Sequence, residues 1–222
     1  MRRHILIALL LGGCVAVSYY YVDRPAAIWA RGLDPWVVSL FRKITFFGSS
    51  TPYLVCLTAL YPLLRFTLRR QASATRALFN LAAIVVSGLT VDLIKPVVAR
   101  SRPLALFAEP SRYGFDFFEV GYPHNSFPSG HASTAGAVAC ALTLLYPRWR
   151  ALWIGAAVLV AASRVIVGAH FPGDVIAGAW FGVVISLALS RTAWFRDALL
   201  SPGGISASVG EHAPAAEKCP PV

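Results

Sequence analysis

"RVIVGAHFPGDVIAG", residues 164–178, is an apolar run interrupted by a guanidinium, an imidazole and a carboxylate (Arg164, His170 and Asp174) and by the Pro172–Gly173 break. Its apolar content is that of a helix bound for a non-aqueous environment. Polar groups there are costly unless paired or used. The rest of the chain places it. Of 222 residues, 57% are hydrophobic and 14% charged, with a mean hydropathy of +0.62. A soluble domain carries about 25% charged residues, so this composition reads as an integral membrane protein. The net charge of +10 does not point to nucleic acid, because the cations flank apolar runs instead of interleaving with aromatics.

Helix is the one open-chain structure that satisfies its backbone in lipid. The apolar runs therefore predict an all-α, six-helix membrane bundle, with spans near 4–22, 52–68, 76–98, 131–147, 151–169 and 173–190 of one domain over 1–200. Residues 201–222, rich in Gly, Pro, Ser and Ala, are expected to form a disordered tail. "MRRHILIALLLGGC" looks like a lipoprotein signal ending at Cys14, yet the apolar run continues to Val22, so a retained first span is expected. "RGLDPWVVSLFRKITFFGSS", 31–50, suits an interfacial helix and a loop with core contacts equally well. Cys14, Cys56, Cys140 and Cys219 form neither a disulfide framework nor a zinc pattern and read as packing residues. The closing "CPPV", with two prolines, is a poor prenylation box.

Arg2 and Arg3, Arg65, Arg69, Arg70 and Arg76, Arg148 and Arg150, and Arg191 and Arg196 all fall on one side of a six-span chain. The positive-inside rule makes that side cytoplasmic, with both termini inside. The other side collects Asp23, Asp34, Glu109, Asp116 and Glu119. Lys95, Arg102, His131, Arg164, His170 and Asp174 also lie at that outer end. Their clustering at one face, with none mid-span, speaks for a site and against a permeation route in a transporter or a passive scaffold.

Three segments carry the site: "KPVVARSRP" (95–103), "PSGH" (128–131) and "SRVIVGAHFPGD" (163–174). Their ordered pattern resembles the type-2 phosphatidic acid phosphatase superfamily, which also includes acid phosphatases and vanadium haloperoxidases. The resemblance covers roughly residues 50–190, and all three motifs match without substitution. The residue types fit phosphoryl chemistry independently. Lys95, Arg102 and Arg164 supply positive charge for equatorial phosphoryl oxygens. Ser129 and Gly130 begin a helix whose free N–H groups suit an anion, although a plain N-cap would look the same. His170 and Asp174 fit a nucleophile and its orienting carboxylate.

The resemblance implies His131 as general acid, a phosphohistidine on His170, and no metal or other cofactor. It implies a lipid phosphate substrate of the lipid A, undecaprenyl diphosphate, phosphatidylglycerophosphate or phosphatidic acid type, with lipid A or a polyprenyl diphosphate preferred. A phosphotransferase using the same histidine is the enzymatic alternative. Loop charge and compact length fit a bacterial inner membrane with the site facing the periplasm. Asp92 is expected to compensate Lys95, His124 to be a loop residue, His4 to be interfacial, and the aromatic loop 104–127 to rim the site.

Overall fold

The computed structural model describes residues 2–108 and 113–200. The expected tail, Cys219 and Glu109 lie outside the described residues, and every named element is helical. Helix α1 (Arg2–Val17) runs through a π-helical turn (Ser18–Val22) into α2 (Asp23–Arg31). The first helix therefore does not stop at 22. Pro25 lacks an N–H where the π turn already interrupts the ordinary hydrogen-bond ladder, so the helix passes through it.

The stretch that sequence left between helix and loop is a helix. α3 (Pro35–Ile44) starts on Pro35 after Asp34 and leaves Trp36 and Leu40 exposed. A 3₁₀ turn (Thr45–Gly48) and extended backbone at Ser49 separate it from α4 (Ser50–Pro62), which ends in a second π turn, Leu63–Thr67. α5 (Gln71–Val98) begins earlier than the expected 76. After the short α6 (Pro103–Ala108) come α7 (Gly130–Leu145), α8 (Arg150–Ile166), α9 (Pro172–Ser190) and α10 (Ala193–Leu200). α8 stops three residues before the expected 169, because Gly168, at φ +68°, turns the chain back.

α5, α9 and the Pro147–Ile166 stretch that contains α8 are long and apolar enough to cross a membrane, as is Pro35–Thr67, and α7 is a shorter apolar helix. Leu9, Leu93 and Val158 are exposed, as side chains facing lipid should be. The chain is a multi-pass membrane protein. Of the cysteines, Cys14 and Cys56 are exposed and Cys140 is half-buried.

α7 is the central helix, packed by α5, α8 and α9. Its "GHASTAGAVACA" stretch is nearly all small, and it lets α9 approach backbone to backbone. A Cβ at Gly178 would overlap the Ser129 carbonyl, and one at Gly182 the Ser133 carbonyl. Gly88 on α5 has open space where its Cβ would be. Gly182→Ala should therefore cost about 1–3 kcal/mol through overpacking. Gly88→Ala should be neutral or slightly stabilising through helix propensity. Thermal unfolding in detergent checks the contrast, and equal effects would contradict the close α7–α9 contact.

Candidate active site

Lys95, in the last turn of α5, pairs with Asp92 at 2.7 Å, the expected charge compensation. Ala99, at φ +43°, then reverses the chain, and Arg100, Ser101 and Arg102 run beside the outer loop. Backbone bonds from Asp116 N–H to Ala99, from Ser126 N–H to Arg100 and from Arg102 N–H to Pro123 tie the two segments together. They bring Asn125 to Arg102, whose Nε donates to Oδ1 at 2.8 Å.

Ser129 caps α7 by accepting from Ala132 N–H at 3.5 Å, and its own N–H donates to the Asp174 carbonyl at 3.0 Å. The PSG turn is thus an N-cap, as its plainest reading had it, and is also bonded to the start of α9. Gly130 lies against Lys95, with Nζ 3.6 Å from where a Cβ would stand. His131, in the first turn, rests on Gly48, where a Cβ would come 2.9 Å from the His131 Cβ. At the end of α8, Arg164 donates from one terminal nitrogen to Thr45 Oγ1 at 2.7 Å. Its buried Nε has no partner among the described residues.

His170 follows the Gly168 turn and is 3% exposed. Its Nδ1 is 2.8 Å from the Ser126 carbonyl, 3.4 Å from Ser126 Oγ and 3.8 Å from Asp174 Oδ2. A carbonyl only accepts, so Nδ1 carries the proton and Nε2 keeps its lone pair. Asp174 thus stands beside the imidazole, where an orienting carboxylate belongs. Its Oδ2 also accepts from Ser126 Oγ at 2.5 Å and from Phe171 N–H at 2.9 Å, so Ser126 touches both carboxylate and ring. Asp174 Oδ1 accepts from Arg100 at 2.6 Å, and Arg100 also donates to Asp23 Oδ2 at 2.6 Å.

The eight residues singled out by sequence (Lys95, Arg102, Ser129, Gly130, His131, Arg164, His170 and Asp174) thus come to one end of the bundle. His131 lies within electrostatic reach of Arg164, His170, Lys95 and Arg102, and His170 within reach of Arg102 and Arg164. Three cations and two imidazoles gathered at one end of the bundle can bind a phosphoryl group and attack it from nitrogen. Sequence reasoning missed Asp23, Arg100, Asn125, Ser126 and Thr45. Arg100 and Asp23 did carry a signal, each being a charge set beside apolar runs.

The outer loop holds a further cluster. His124 Nδ1 is 2.9 Å from Asp116 and 3.1 Å from Glu119, and the ligand atoms of the three residues lie within 4.8 Å of one another. Ser101 Oγ donates to Asp116 at 3.0 Å, so these contacts knit the loop to the segment after α5. Burial raises the Tyr113 phenol to about 12, and it stays a hydroxyl that donates to the Tyr19 carbonyl.

Burial pushes the His170 imidazole below its ordinary value, and the Arg102 and Arg164 charges push the same way, against Asp174. A depressed value means that the ring stays neutral as pH falls through about 6.5, where a free imidazole takes up its second proton. Histidine-selective ¹⁵N spectra in micelles should show His170 as the Nδ1–H tautomer at about pH 6. A doubly protonated ring at that pH would contradict the geometry.

Residues 76–198 match the family model described as the PAP2 superfamily. A lipid A 1-phosphatase from Rhizobium etli is 36% identical over 198 residues, covering 84% of this chain and 83% of the relative. An undecaprenyl-diphosphatase from Sulfolobus acidocaldarius is 40% identical over 127 residues, covering 56% of each chain. A transmembrane PAP2-type phosphatidylglycerolphosphate phosphatase from Bacillus subtilis shares the fold, with a TM-score of 0.61 at 24% identity, over 86% of this chain and 95% of that one. With the cationic pocket and its two histidines at the end of a membrane bundle, the chain belongs to the PAP2 superfamily, on its membrane lipid phosphatase branch.

Proposed function

We propose that the protein is a metal-independent phosphatase that removes the 1-phosphate of lipid A at the periplasmic face of a bacterial inner membrane. The observation that carries the chemistry is the His170 ring, whose Nδ1 faces the Ser126 carbonyl at 2.8 Å, leaving Nε2 as the attacking nitrogen, with Arg102 and Arg164 in electrostatic reach. Lys95, Arg102 and Arg164 bind the phosphate oxygens and balance the charge that develops in transfer, together with the N–H groups at the Ser129–Gly130 helix start. His170 Nε2 attacks phosphorus. The P–N bond forms as the P–O bond to the lipid breaks, and His131 gives its proton to the departing oxygen. Water then attacks the phosphohistidine and loses a proton to His131 while the P–N bond breaks, releasing phosphate.

Two features support a lipid substrate. An apolar cleft of about 320 Å³ lies between α4, α7 and α8, lined by Phe47, Tyr53, Ala135, Ala156 and Val160 among others. Ala135 is one turn beyond His131 and Val160 one turn before Arg164, so the cleft begins beneath the pocket and suits an acyl chain. Trp29, Trp36, Phe117, Phe118 and Tyr122 are exposed, as aromatics at a membrane interface would be. The long match to a lipid A 1-phosphatase favours that lipid over a polyprenyl diphosphate. The loop-charge pattern supports the periplasmic orientation.

The test is phosphate release from purified lipid A, undecaprenyl diphosphate and phosphatidic acid, with and without an acceptor lipid. Lipid A should turn over fastest without acceptor and in excess EDTA. Turnover that requires acceptor would make the protein a phosphotransferase, and loss in EDTA restored by magnesium would overturn metal independence. His170→Ala should abolish activity on every substrate. His131→Ala should cost about 10²–10⁴-fold on lipid, and far less on p-nitrophenyl phosphate, whose leaving group needs no proton. Ala156→Trp, filling the cleft, should raise KM for lipid and leave p-nitrophenyl phosphate hydrolysis unchanged. For orientation, a cysteine at Val120 in a background lacking the native four should react with an impermeant maleimide on intact spheroplasts, and one at Ser73 only after permeabilisation. The reverse labelling would put the site in the cytoplasm.

A further inference from the structure

We infer that Asp23, on the first helix and outside the segment that matches the family, is a positioning residue for phosphoryl transfer: through Arg100 it sets Asp174 and, through Ser126, the ring of His170. The inference rests on the proposed role of His170 as nucleophile.

Asp23 is fully buried and uses both carboxylate oxygens. Oδ2 accepts from Arg100 at 2.6 Å, while Oδ1 accepts from Ser18 Oγ at 2.6 Å and from Gly173 N–H at 2.9 Å. It therefore grips the first turn of α9 twice, once at the backbone beside Asp174 and once through the guanidinium bonded to Asp174. The π turn makes this possible. Residues five apart on an α-helix point about 140° away from each other at 3.6 residues per turn. In the i→i+5 pattern of a π turn they stack, so Ser18 and Asp23 face inward together.

Arg100 has little freedom to re-pair. Its guanidinium lies 4.5 Å from the Phe171 ring centroid, 5.1 Å from Tyr19 and 5.4 Å from Phe115. Burial alone would lower its pKa, but Asp174 and Asp23 outweigh burial and hold it raised. A buried ion pair adds little net stability over an apolar replacement, so stability alone does not account for this one. Position does, because a nucleophile misplaced by about 1 Å loses about 10²-fold in rate.

The experiment compares Asp23→Asn with the parent enzyme by rapid quench, following acid-labile phosphoenzyme from radiolabelled p-nitrophenyl phosphate. Asparagine keeps the size and the oxygen for Gly173 but removes the charge on Arg100. Phosphoenzyme formation and kcat should fall about 10–100-fold per folded molecule, with KM and inhibition by inorganic phosphate within about twofold. Inhibition by vanadate, which must accept the histidine nitrogen to reach five-coordination, should weaken in step with kcat. Arg100→Met should show the same signature, and adding Asp23→Asn to it should cost nothing more.

A lower Tm with parental kcat and phosphoenzyme rate would make Asp23 purely structural and overturn the inference. So would parallel losses in phosphate and vanadate affinity, which would mean that Asp23 shapes the anion site instead of the nucleophile. Should Asp23→Asn not fold, Ser18→Ala, which removes one bond to Asp23, should still lower kcat severalfold, and no change would count against the proposal. Absence of phosphoenzyme in the parent would instead refute the nucleophile assignment.

Discussion

A guanidinium 1% exposed, held between two carboxylates that are themselves fully buried, is the constraint on which the active end of this bundle depends. Removing one partner of a buried ion pair costs about 3–5 kcal/mol, because the remaining charge is stranded. Arg100 therefore ties together three distant parts of the chain: the first helix through Asp23, the segment after α5 through its own backbone, and the start of α9 through Asp174. Asp23, Arg100 and Asp174 together leave one surplus negative charge close to His170. A histidine phosphorylated on Nε2 with a proton on Nδ1 has a cationic ring. In the proposed mechanism the surplus charge would stabilise that state, while Arg102 and Arg164 would hold the phosphoryl oxygens on the other side, so that one network would serve both sides of the bond that forms.

His131 lies in the first turn of α7 and His170 in the turn just before α9, so their separation depends on how α7 and α9 meet. Gly178 and Gly182 bring α9 onto the carbonyls of Ser129 and Ser133, and the Ser129 N–H closes the contact on the Asp174 carbonyl. The motif that begins α7 and the motif that begins α9 are therefore hydrogen-bonded parts of one surface. A larger side chain at Gly178 would displace Ser129 and the turn it caps. Packing of small residues, which in membranes replaces the hydrophobic effect between helices, here also sets how the two histidine-bearing segments meet.

The sequence made the membrane helices legible because lipid requires long apolar runs, and it made the eight candidate residues legible because their three ordered motifs resemble those of the superfamily and their types suit phosphoryl chemistry. It did not show which partners those residues take. Asp23 read as a loop charge, since the apolar run ends at Val22 and Pro25 follows; nothing local reveals that a π turn carries the helix onward and aims the carboxylate inward. Ser126 lies 48 positions from Asp174, and Asp23 lies 77 from Arg100. Pairings at such distances leave no periodicity in the chain. Ser126 in particular joins His170 and Asp174, its hydroxyl donating to the carboxylate while its carbonyl lies 2.8 Å from the ring nitrogen.

The length of α7 explains why so much structure stands above the pocket. Its 16 residues span about 24 Å at 1.5 Å per residue, less than the roughly 30 Å of a bilayer's hydrocarbon core. Tyr146, Arg148 and Trp149 follow its far end and suit the opposite interface. With its far end at that interface, so short a helix would hold His131, in its first turn, below the near headgroup plane. α5 runs 28 residues and the first helix continues nine residues past its π turn, and the loop tied to Arg100 and Arg102 packs beside them. In the proposed reaction a site recessed in this way would keep low dielectric around its cations, strengthening their hold on phosphate, and would let a lipid keep its chains against α7 and α8 while its headgroup reaches the histidines.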